Sequence, residues 1–149
     1  MTTELLANTC NRYNFVTTRK KAMPQKESPG KIVMIVDDDI DFRLLLRDRL
    51  VRLGLLCVEA ENGEKAKAQI KKKHVDLVIT DYRMPRMDGL ELIDWLKQTQ
   101  RYMPIIFVSG DVSAPIRKKA EQAGVYAILE KPCSLADLSS RVKEAFDES

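Results

Sequence analysis

Hydrophobic residues after position 30 follow two alternating patterns. Short apolar runs rich in β-branched residues recur five times, and each is followed by a segment in which apolar residues repeat every three or four positions. The first pattern is typical of strands buried on both faces, and the second of amphipathic helices. The predicted strands are Ile32–Val36, Leu55–Glu59, Leu77–Thr80, Ile105–Val108 and Tyr126–Leu129.

Residues that start and stop helices separate these runs. The first predicted helix begins at Asp39 or Ile40 and has its apolar positions between Phe42 and Leu53. The others are Asn62–Lys73, Gly89–Gln100, Ser113–Ala123 and a last helix that opens at Ser134. Gly54 is typical of a helix end, whereas Asn62, Asp88 and Ser134 are typical of helix starts. Five β–α units with short links predict an α/β, doubly wound, five-stranded parallel sheet with helices on both faces. In such folds, ligands bind at the carboxyl ends of the central strands.

Residues 1–30 follow neither pattern. They hold five of the 25 Lys and Arg residues and two of the 22 Asp and Glu residues, so the net charge of +3 lies in this segment. A polar composition, interrupted by prolines and ending in Pro29-Gly30, predicts a flexible basic leader, followed by one folded domain over residues 31–147. Because the folded part carries no net charge, it has no basic bias toward nucleic acid.

Cysteine spacing and hydropathy exclude several other classes of protein. Cys10, Cys57 and Cys133 are far apart and odd in number, which excludes a disulfide framework and a zinc ribbon and is typical of a reducing cytoplasm. No apolar run approaches the roughly 20 residues that a membrane-spanning helix needs. The first residues also lack the pattern of a secretory signal. We therefore expect a cytoplasmic protein that does not associate with membranes.

Chemically active side chains follow four of the five predicted strands. Asp37 and Asp38 follow the first strand, Asp81 the third, Ser109 the fourth and Lys131 the fifth. Because the carboxyl ends of parallel strands meet at one edge of a sheet, we expect these side chains to lie close together. Neighbouring carboxylates repel each other, and a hard divalent cation such as Mg²⁺ relieves that repulsion.

The motifs at these strand ends resemble those of a known family. They are Val36-Asp37-Asp38-Asp39, Asp81-Tyr-Arg-Met-Pro-Arg-Met-Asp-Gly89, Val108-Ser109-Gly110 and Leu129-Glu130-Lys131-Pro132. Residues 31–146 resemble the receiver domain of two-component response regulators, the chemotaxis regulators among them. The resemblance implies a flavodoxin-like receiver fold.

A magnesium-dependent phosphoacceptor site is implied by this resemblance. Asp81 would accept the phosphoryl group. Mg²⁺ would be bound directly by Asp38, Asp81 and the backbone carbonyl of Arg83, and through water by Asp37. The Lys131 ammonium would pair with phosphoryl oxygens.

Further residues have implied roles in shaping the site and in switching. The Ser109 hydroxyl would bind another phosphoryl oxygen and take part in the switch. Pro132 is expected to follow a cis peptide bond. Gly89 shapes the loop after Asp81, and we interpret it as supplying a backbone conformation that other residues resist.

Ile128 departs from the family pattern. Receivers commonly carry Tyr or Phe three residues before the lysine, and its ring turns inward after phosphorylation. Ile128 has less volume and no hydroxyl, so the switch it supports differs from the usual one. Tyr126 lies two residues earlier, and strand alternation predicts it on the same face.

The function implied is that of a phosphorelay protein. A histidine kinase or histidine phosphotransfer protein would donate the phosphoryl group. The face formed by the fourth helix, fifth strand and fifth helix would then bind a downstream protein, and a phosphorylation-dependent dimer is a further expectation. The chain would turn over no free substrate, so we do not expect an enzyme.

Alternative functions remain open from the sequence. We favour a stand-alone regulator that acts by protein contact, over the N-terminal receiver of a longer DNA-binding or cyclic-nucleotide output regulator. A receiver-shaped module that works without phosphorylation is supported by Ile128. A haloacid-dehalogenase-like phosphatase needs the D-x-D spacing of Asp37 and Asp39, but the motifs at Asp81 and Lys131 argue against it. Asp39 is predicted to cap the first helix.

Overall fold

A computed structural model describes residues 30–148, so the predicted leader lies outside the described residues apart from Gly30. Strands and helices alternate along the described part. The strands are β1 (Ile32–Val36), β2 (Leu56–Ala60), β3 (Leu77–Thr80), β4 (Ile105–Ser109) and β5 (Ala127–Glu130). The helices are α1 (Ile40–Arg52), α2 (Gly63–Lys72), α3 (Gly89–Gln98), α4 (Ala114–Gln122) and α5 (Leu135–Asp147). None of these helices is long and apolar enough to cross a membrane.

The strands form one parallel sheet in the order β2-β1-β3-β4-β5. From β1 the chain first moves outward to β2 and then returns across β1 to β3, so the direction of winding reverses between β1 and β3. A reversal of this kind opens a crevice at the carboxyl ends of the two strands. The predicted fold is confirmed, and this crevice is where the candidate site lies.

Two layers of helices cover the sheet. Helices α1 and α5 pack on one face, and α2, α3 and α4 pack on the other. The fully buried residues on the first side include Ile35, Leu46, Leu50, Leu138 and Val142, and those on the second include Met34, Ile70, Leu92, Ile93 and Phe107. The central strands β1, β3 and β4 are buried nearly throughout, and their apolar runs are nearly continuous, whereas the edge strands β2 and β5 are only partly buried.

The helix caps agree with the sequence. The side chains of Asn62, Asp88 and Ser134 each accept a hydrogen bond from a backbone N–H in the first turn of α2, α3 and α5. Gly54 follows α1 with a φ of 85°, a left-handed conformation that glycine adopts without steric cost. Ser113 is the cap residue of α4, which begins at Ala114, but its side chain makes no hydrogen bond to the first turn.

Strands β2 and β5 each begin one residue later than predicted. Leu55 donates its backbone N–H to Leu50 and so completes the end of α1 before β2 begins. Strand β5 begins at Ala127. The prediction that Tyr126 shares a face with Ile128 is wrong, because Tyr126 precedes the strand and alternation does not apply to it. Tyr126 packs on the α1–α5 side, whereas Ile128 packs on the α2–α4 side.

Candidate functional site

The backbone of the sheet fixes the positions of the two central aspartates. The N–H of Asp37 donates to Ala60 at 3.1 Å, and the N–H of Asp81 donates to Val36 at 3.0 Å. Both residues therefore continue the hydrogen bonding of the sheet for one residue past β1 and β3. Their side chains enter the crevice from adjacent strands.

Three carboxylates meet in this crevice. Asp37, Asp38 and Asp81 each offer an oxygen, and these oxygens lie within 4.8 Å of one another. Asp37 is buried with 1% of its surface exposed, whereas Asp38 is exposed. The arrangement combines a dry inner carboxylate with an outer one that contacts solvent. Within residues 30–148 this is the acidic group whose geometry suits a metal ion.

Lys131 bridges two of these carboxylates. Its Nζ lies 2.5 Å from Oδ2 of Asp37 and 3.3 Å from Oδ2 of Asp81. Burial raises the pKa of Asp37, and the hydrogen bond from Lys131 opposes that rise. Burial lowers the pKa of Lys131, but the hydrogen bond and charge of Asp37, together with the charge of Asp81, raise it more. The Lys131 ammonium is therefore held in its charged form among anionic partners.

Backbone contacts hold Lys131 and the Asp81 carboxylate. The N–H of Lys131 donates to the carbonyl of Ser109 at 2.9 Å, and the peptide bond to Pro132 is cis, as the resemblance implied. On Asp81, Oδ1 accepts a hydrogen bond from the Tyr82 N–H at 2.6 Å. The Asp81 carboxylate is thus held on one oxygen by its own loop and on the other by Lys131.

Gly89 is needed for close approach rather than for an unusual conformation. Gly54 and Gly124 have a positive φ, but Gly89 does not. The interpretation that Gly89 supplies a backbone conformation that other residues resist is therefore wrong. A Cβ at this position would lie 2.0 Å from the carbonyl oxygen of Asp81 and 3.2 Å from Oγ1 of Thr80. The N–H of Gly89 also donates to Tyr82 at 2.9 Å. The start of α3 therefore packs directly against the backbone of the central aspartate.

Ser109 and Arg83 border the site on the side of β4. Ser109 is buried at the end of β4, and its Oγ accepts a hydrogen bond from the N–H of Asp111 at 3.2 Å. The Arg83 side chain binds Asp111 through Nη2 at 2.6 Å and so joins the loops after β3 and β4. Arg83 also borders an open cleft of about 450 Å³. The cleft is lined by Asp38, Tyr82, Arg83, Met84, Pro85 and Asp88.

Ile128 lies outside the cluster of charges. It is half-buried on β5, in register with Phe107 on β4, and packs against the apolar cluster under α4. The structure thus brings Asp37, Asp38, Asp81 and Lys131 together, and it places Ile128 in a separate apolar region.

Sequence reasoning missed Arg43 and Phe42, which both contact the site from α1. Arg43 donates through Nη1 to the backbone carbonyl of Asp37 at 2.6 Å and lies 3.5 Å from the Glu59 carboxylate. The ring of Phe42 lies under Lys131, with Nζ 4.3 Å from the ring centroid. A signal for Arg43 was present, since it is a charged residue on the helix face that carries Leu46 and Leu50. The signal for Phe42 was hidden, because an apolar residue at that position also suits the core.

Comparison with known proteins decides the family. The model of the response regulator receiver domain family matches residues 33–143. The chain belongs to this family. The receiver domain accounts for about three quarters of the chain, and the described elements match the receiver fold throughout.

Similar sequences occur inside longer regulators. The chain is 34% identical over 114 residues to the DNA-binding transcriptional regulator NtrC of Salmonella typhimurium, covering 76% of this chain and 24% of NtrC. It is 34% identical over 109 residues to the sensor histidine kinase RcsC of Escherichia coli, covering 73% of this chain and 12% of RcsC. The chain thus spans a quarter or less of these curated relatives.

Solved receiver structures agree with the fold over nearly their whole length. A CheY-like receiver domain protein from Methanospirillum hungatei superimposes with a TM-score of 0.77 at 28% identity, covering 80% of this chain and 96% of the other. A receiver protein from Pseudomonas putida gives 0.75 at 31% identity, covering 78% and 98%.

The acidic cluster of this receiver domain fits Mg²⁺. Carboxylate and carbonyl oxygens are the ligands that Mg²⁺ prefers, and the ion retains several waters. Asp37, Asp38 and Asp81 supply the carboxylates, and the open cleft beside Asp38 leaves room for water. The donor set and its access to solvent therefore suit this ion.

Proposed function

We propose that this receiver domain is a phosphoacceptor in a two-component phosphorelay. Asp81 accepts a phosphoryl group from the histidine of a histidine kinase or a histidine phosphotransfer protein. The observation that carries the proposal is the Lys131 ammonium, which lies 2.5 Å from Asp37 and 3.3 Å from Asp81 inside a group of three carboxylates. A charged lysine beside a central carboxylate suits a site where further negative charge must be stabilised.

The covalent step is a transfer between two side chains. An oxygen of Asp81 forms a bond to phosphorus, the bond from phosphorus to the donor's imidazole nitrogen breaks, and the imidazole leaves with that electron pair. Hydrogen bonds from Tyr82 and Lys131 hold the Asp81 carboxylate before the step. This fixed geometry supports catalysis by positioning, because little reorganisation is needed as the bond forms.

Each remaining site residue has a defined task in this proposal. Bound Mg²⁺ neutralises negative charge on the transferred group and the carboxylates. Asp38, Asp81 and the Arg83 carbonyl would hold it directly, and Asp37 through water. Lys131 pairs with a phosphoryl oxygen, and the Ser109 hydroxyl donates to another.

The output of the domain is a change in protein contacts. The face of α4, β5 and α5 is the proposed switching surface, with Ser109 and Ile128 as its link to the site, and a phosphorylation-dependent dimer is one form the response can take. An open groove of about 200 Å³ on this face is lined in part by Arg117 and Ile128 and gives Ile128 an apolar and solvent-facing neighbourhood at the proposed surface. The domain modifies only its own aspartate and turns over no free substrate, so we do not propose an enzyme.

The proposed function also implies a cellular location and a protein context. We place the domain in the cytoplasm, with a downstream protein as its target and no direct contact with nucleic acid or membrane. NtrC and RcsC contain similar domains within a DNA-binding regulator and a sensor kinase, so a longer regulator is the alternative context.

Intact-mass spectrometry with a small phosphodonor tests the chemistry without the natural donor. The protein should gain the mass of one phosphoryl group in the presence of Mg²⁺ and none when EDTA is added. Asp81→Asn should abolish the gain. Asp94→Asn, which removes an exposed carboxylate on α3, is the matched control and should behave as the unmodified sequence does. An unchanged gain in Asp81→Asn would contradict the proposal.

A further inference from the structure

The Lys131 ammonium contacts two carboxylates and one aromatic ring. The carboxylates are those of Asp37 at 2.5 Å and Asp81 at 3.3 Å, and the ring is that of Phe42, whose centroid is 4.3 Å away. The Lys131 side chain is 23% exposed, so much of its charged end is removed from water. An aromatic face attracts a cation through its quadrupole, and the attraction is stronger when the cation is desolvated.

This ring contact is shorter than the other described contacts of the same type. Lys67 and Arg101 lie 5.3 Å and 5.8 Å from the centroid of Trp95, and Lys31 lies 6.0 Å from that of Phe146. Arg83 lies 5.9 Å from the centroid of Tyr82 in the loop after β3, but its ion pair is with Asp111. Phe42 instead contacts the cation that is paired with the carboxylates of the crevice. The position of the ring relative to the site therefore makes it a candidate for a role in the chemistry.

The ring differs from the carboxylates in what it can bind. Asp37 and Asp81 are also the residues proposed to face Mg²⁺, so the ion and the ammonium compete for their oxygens. A phenyl ring offers no oxygen to a hard divalent cation. Carboxylate oxygens that bound the ion, directly or through water, would be less available to the ammonium, whereas the ring would remain available to it.

Phe42 is itself held firmly. It lies in the first turn of α1, where its N–H donates to the capping carboxylate of Asp39 at 3.2 Å. Its ring packs against the apolar cluster between the sheet, α1 and α5. The ring is therefore anchored by backbone and packing contacts that do not depend on the charges in the crevice.

We propose that Phe42 is a positioning residue that holds the Lys131 ammonium beside Asp81 when Mg²⁺ occupies the site. The inference rests on the proposed function and deepens it, since it assigns the support of Lys131 to an aromatic face. Loss of the ring's electrostatic attraction slows phosphoryl transfer to Asp81 and leaves the affinity for Mg²⁺ nearly unchanged.

Fluorinated phenylalanines separate this attraction from simple packing. Each added fluorine weakens the negative face of the ring while the ring keeps its shape and nearly its volume. Full-length protein carrying mono-, di- or trifluorophenylalanine at position 42 is compared with protein carrying the same series at position 146. Phe146 is the matched control, because its ring also lies under a lysine, Lys31 at 6.0 Å, but away from the crevice. Phe42→Tyr and Phe42→Leu complete the set.

The rate of phosphorylation by a small donor should fall stepwise with fluorination at position 42. Phe42→Leu should be about 2- to 30-fold slower, the range expected for a partly desolvated cation–π contact. Phe42→Tyr should keep most of the rate, and the series at position 146 should have no effect. The Mg²⁺ affinity, measured by titration of intrinsic fluorescence, should change less than twofold throughout. Equal rates across the series at position 42 would overturn the proposal.

An NMR measurement decides the question independently of phosphorylation. A ring 4.3 Å from Nζ shifts the Lys131 Hε resonances upfield, and this ring-current shift should persist on saturation with Mg²⁺ and disappear in Phe42→Leu. Collapse of the shift when Mg²⁺ is added overturns the positioning role. If the protein is not phosphorylated at all, the proposed function fails, and the persistence or collapse of this shift still decides whether Phe42 holds the ammonium.

Discussion

The crevice at the carboxyl ends of the strands and the α4–β5 face are built in different ways. In the crevice, directional bonds fix each group: Asp37 accepts from the Asp39 N–H at 2.9 Å and from Lys131 at 2.5 Å. On the α4–β5 face, Ile128 is half-buried and held by apolar packing, beside an open groove of about 200 Å³.

This difference in bonding suggests that the crevice carries out phosphoryl transfer and that the α4–β5 face carries the conformational response to it. Hydrogen bonds and ion pairs tolerate little displacement, so a change in the crevice should alter the reaction itself. Apolar packing is non-directional and allows a side chain to take more than one position at small cost. A change at Ile128 should therefore alter the conformational response to phosphorylation and leave phosphorylation intact.

Lys131→Met should slow the chemistry most. It keeps the length of the side chain but removes the charge between Asp37 and Asp81, and we expect phosphorylation by a small donor to slow by about 10²- to 10³-fold. Lys119→Met removes an exposed charge on α4 and is the control. The difference between the two regions would be lost if both variants slowed to the same degree in an intact-mass time course.

Gly89→Ala should rank next. The added Cβ would meet the Asp81 carbonyl oxygen at 2.0 Å, so α3 and the loop must move apart. We expect a loss of about 1–3 kcal/mol in the free energy of unfolding, together with slower phosphorylation. Gly110→Ala is a close control, because its Cβ would have no heavy atom within 4 Å. Urea denaturation measures the first effect, and equal stability of the two variants would refute the packing argument.

Asp38→Asn should weaken Mg²⁺ binding without unfolding the protein. Asp38 is exposed, so folding does not depend on its charge, but the site loses one of its three carboxylates. We expect the affinity for Mg²⁺ to fall on the order of tenfold, since ligand charge sets the strength of such sites. Calorimetric titration measures it, with Asp94→Asn as the control. An unchanged affinity would place the ion elsewhere.

Ile128→Ala should have the smallest effect on the chemistry. The side chain is only half-buried, so we expect a loss of about 1–2 kcal/mol in the free energy of unfolding, below the usual range for a fully buried isoleucine. Phosphorylation should stay within about twofold of the unmodified rate, because Ile128 packs in an apolar cluster rather than among the charged groups of the crevice. The response to a beryllofluoride mimic, measured by NMR shifts on α4, should weaken. Ile128→Val should retain most of it. Slow phosphorylation of Ile128→Ala together with an unchanged response to beryllofluoride would contradict the proposed division between the crevice and the α4–β5 face.

The fold and the charged crevice could be predicted from the sequence because they depend on short-range rules. Continuous apolar runs predicted strands buried on both faces, and the rule for carboxyl ends brought Asp37, Asp38, Asp81 and Lys131 to one edge of the sheet. The face of Tyr126 was predicted wrongly, because strand alternation holds only within a strand and β5 begins at Ala127.

Contacts between distant residues with ambiguous chemistry could not be predicted. Phe42 and Lys131 lie 89 positions apart in the sequence and meet only because α1 packs beside the end of β5. An apolar residue at that position suits a core contact equally well. Gly89 was recognised as a special position, but its reason, a backbone approach within 2.0 Å of a would-be Cβ, depends on how α3 packs against β3.

Locating the modified residue by chemical trapping tests the central claim most directly. Borohydride reduces an aspartyl phosphate to homoserine, which peptide mass spectrometry identifies by position. After treatment with a small phosphodonor and Mg²⁺, homoserine should appear at position 81 and at no other aspartate, and it should be absent when Mg²⁺ is removed by EDTA. Homoserine at position 37 or 38, or no trapped residue in protein that binds Mg²⁺, would contradict the assignment of Asp81 as the phosphoacceptor.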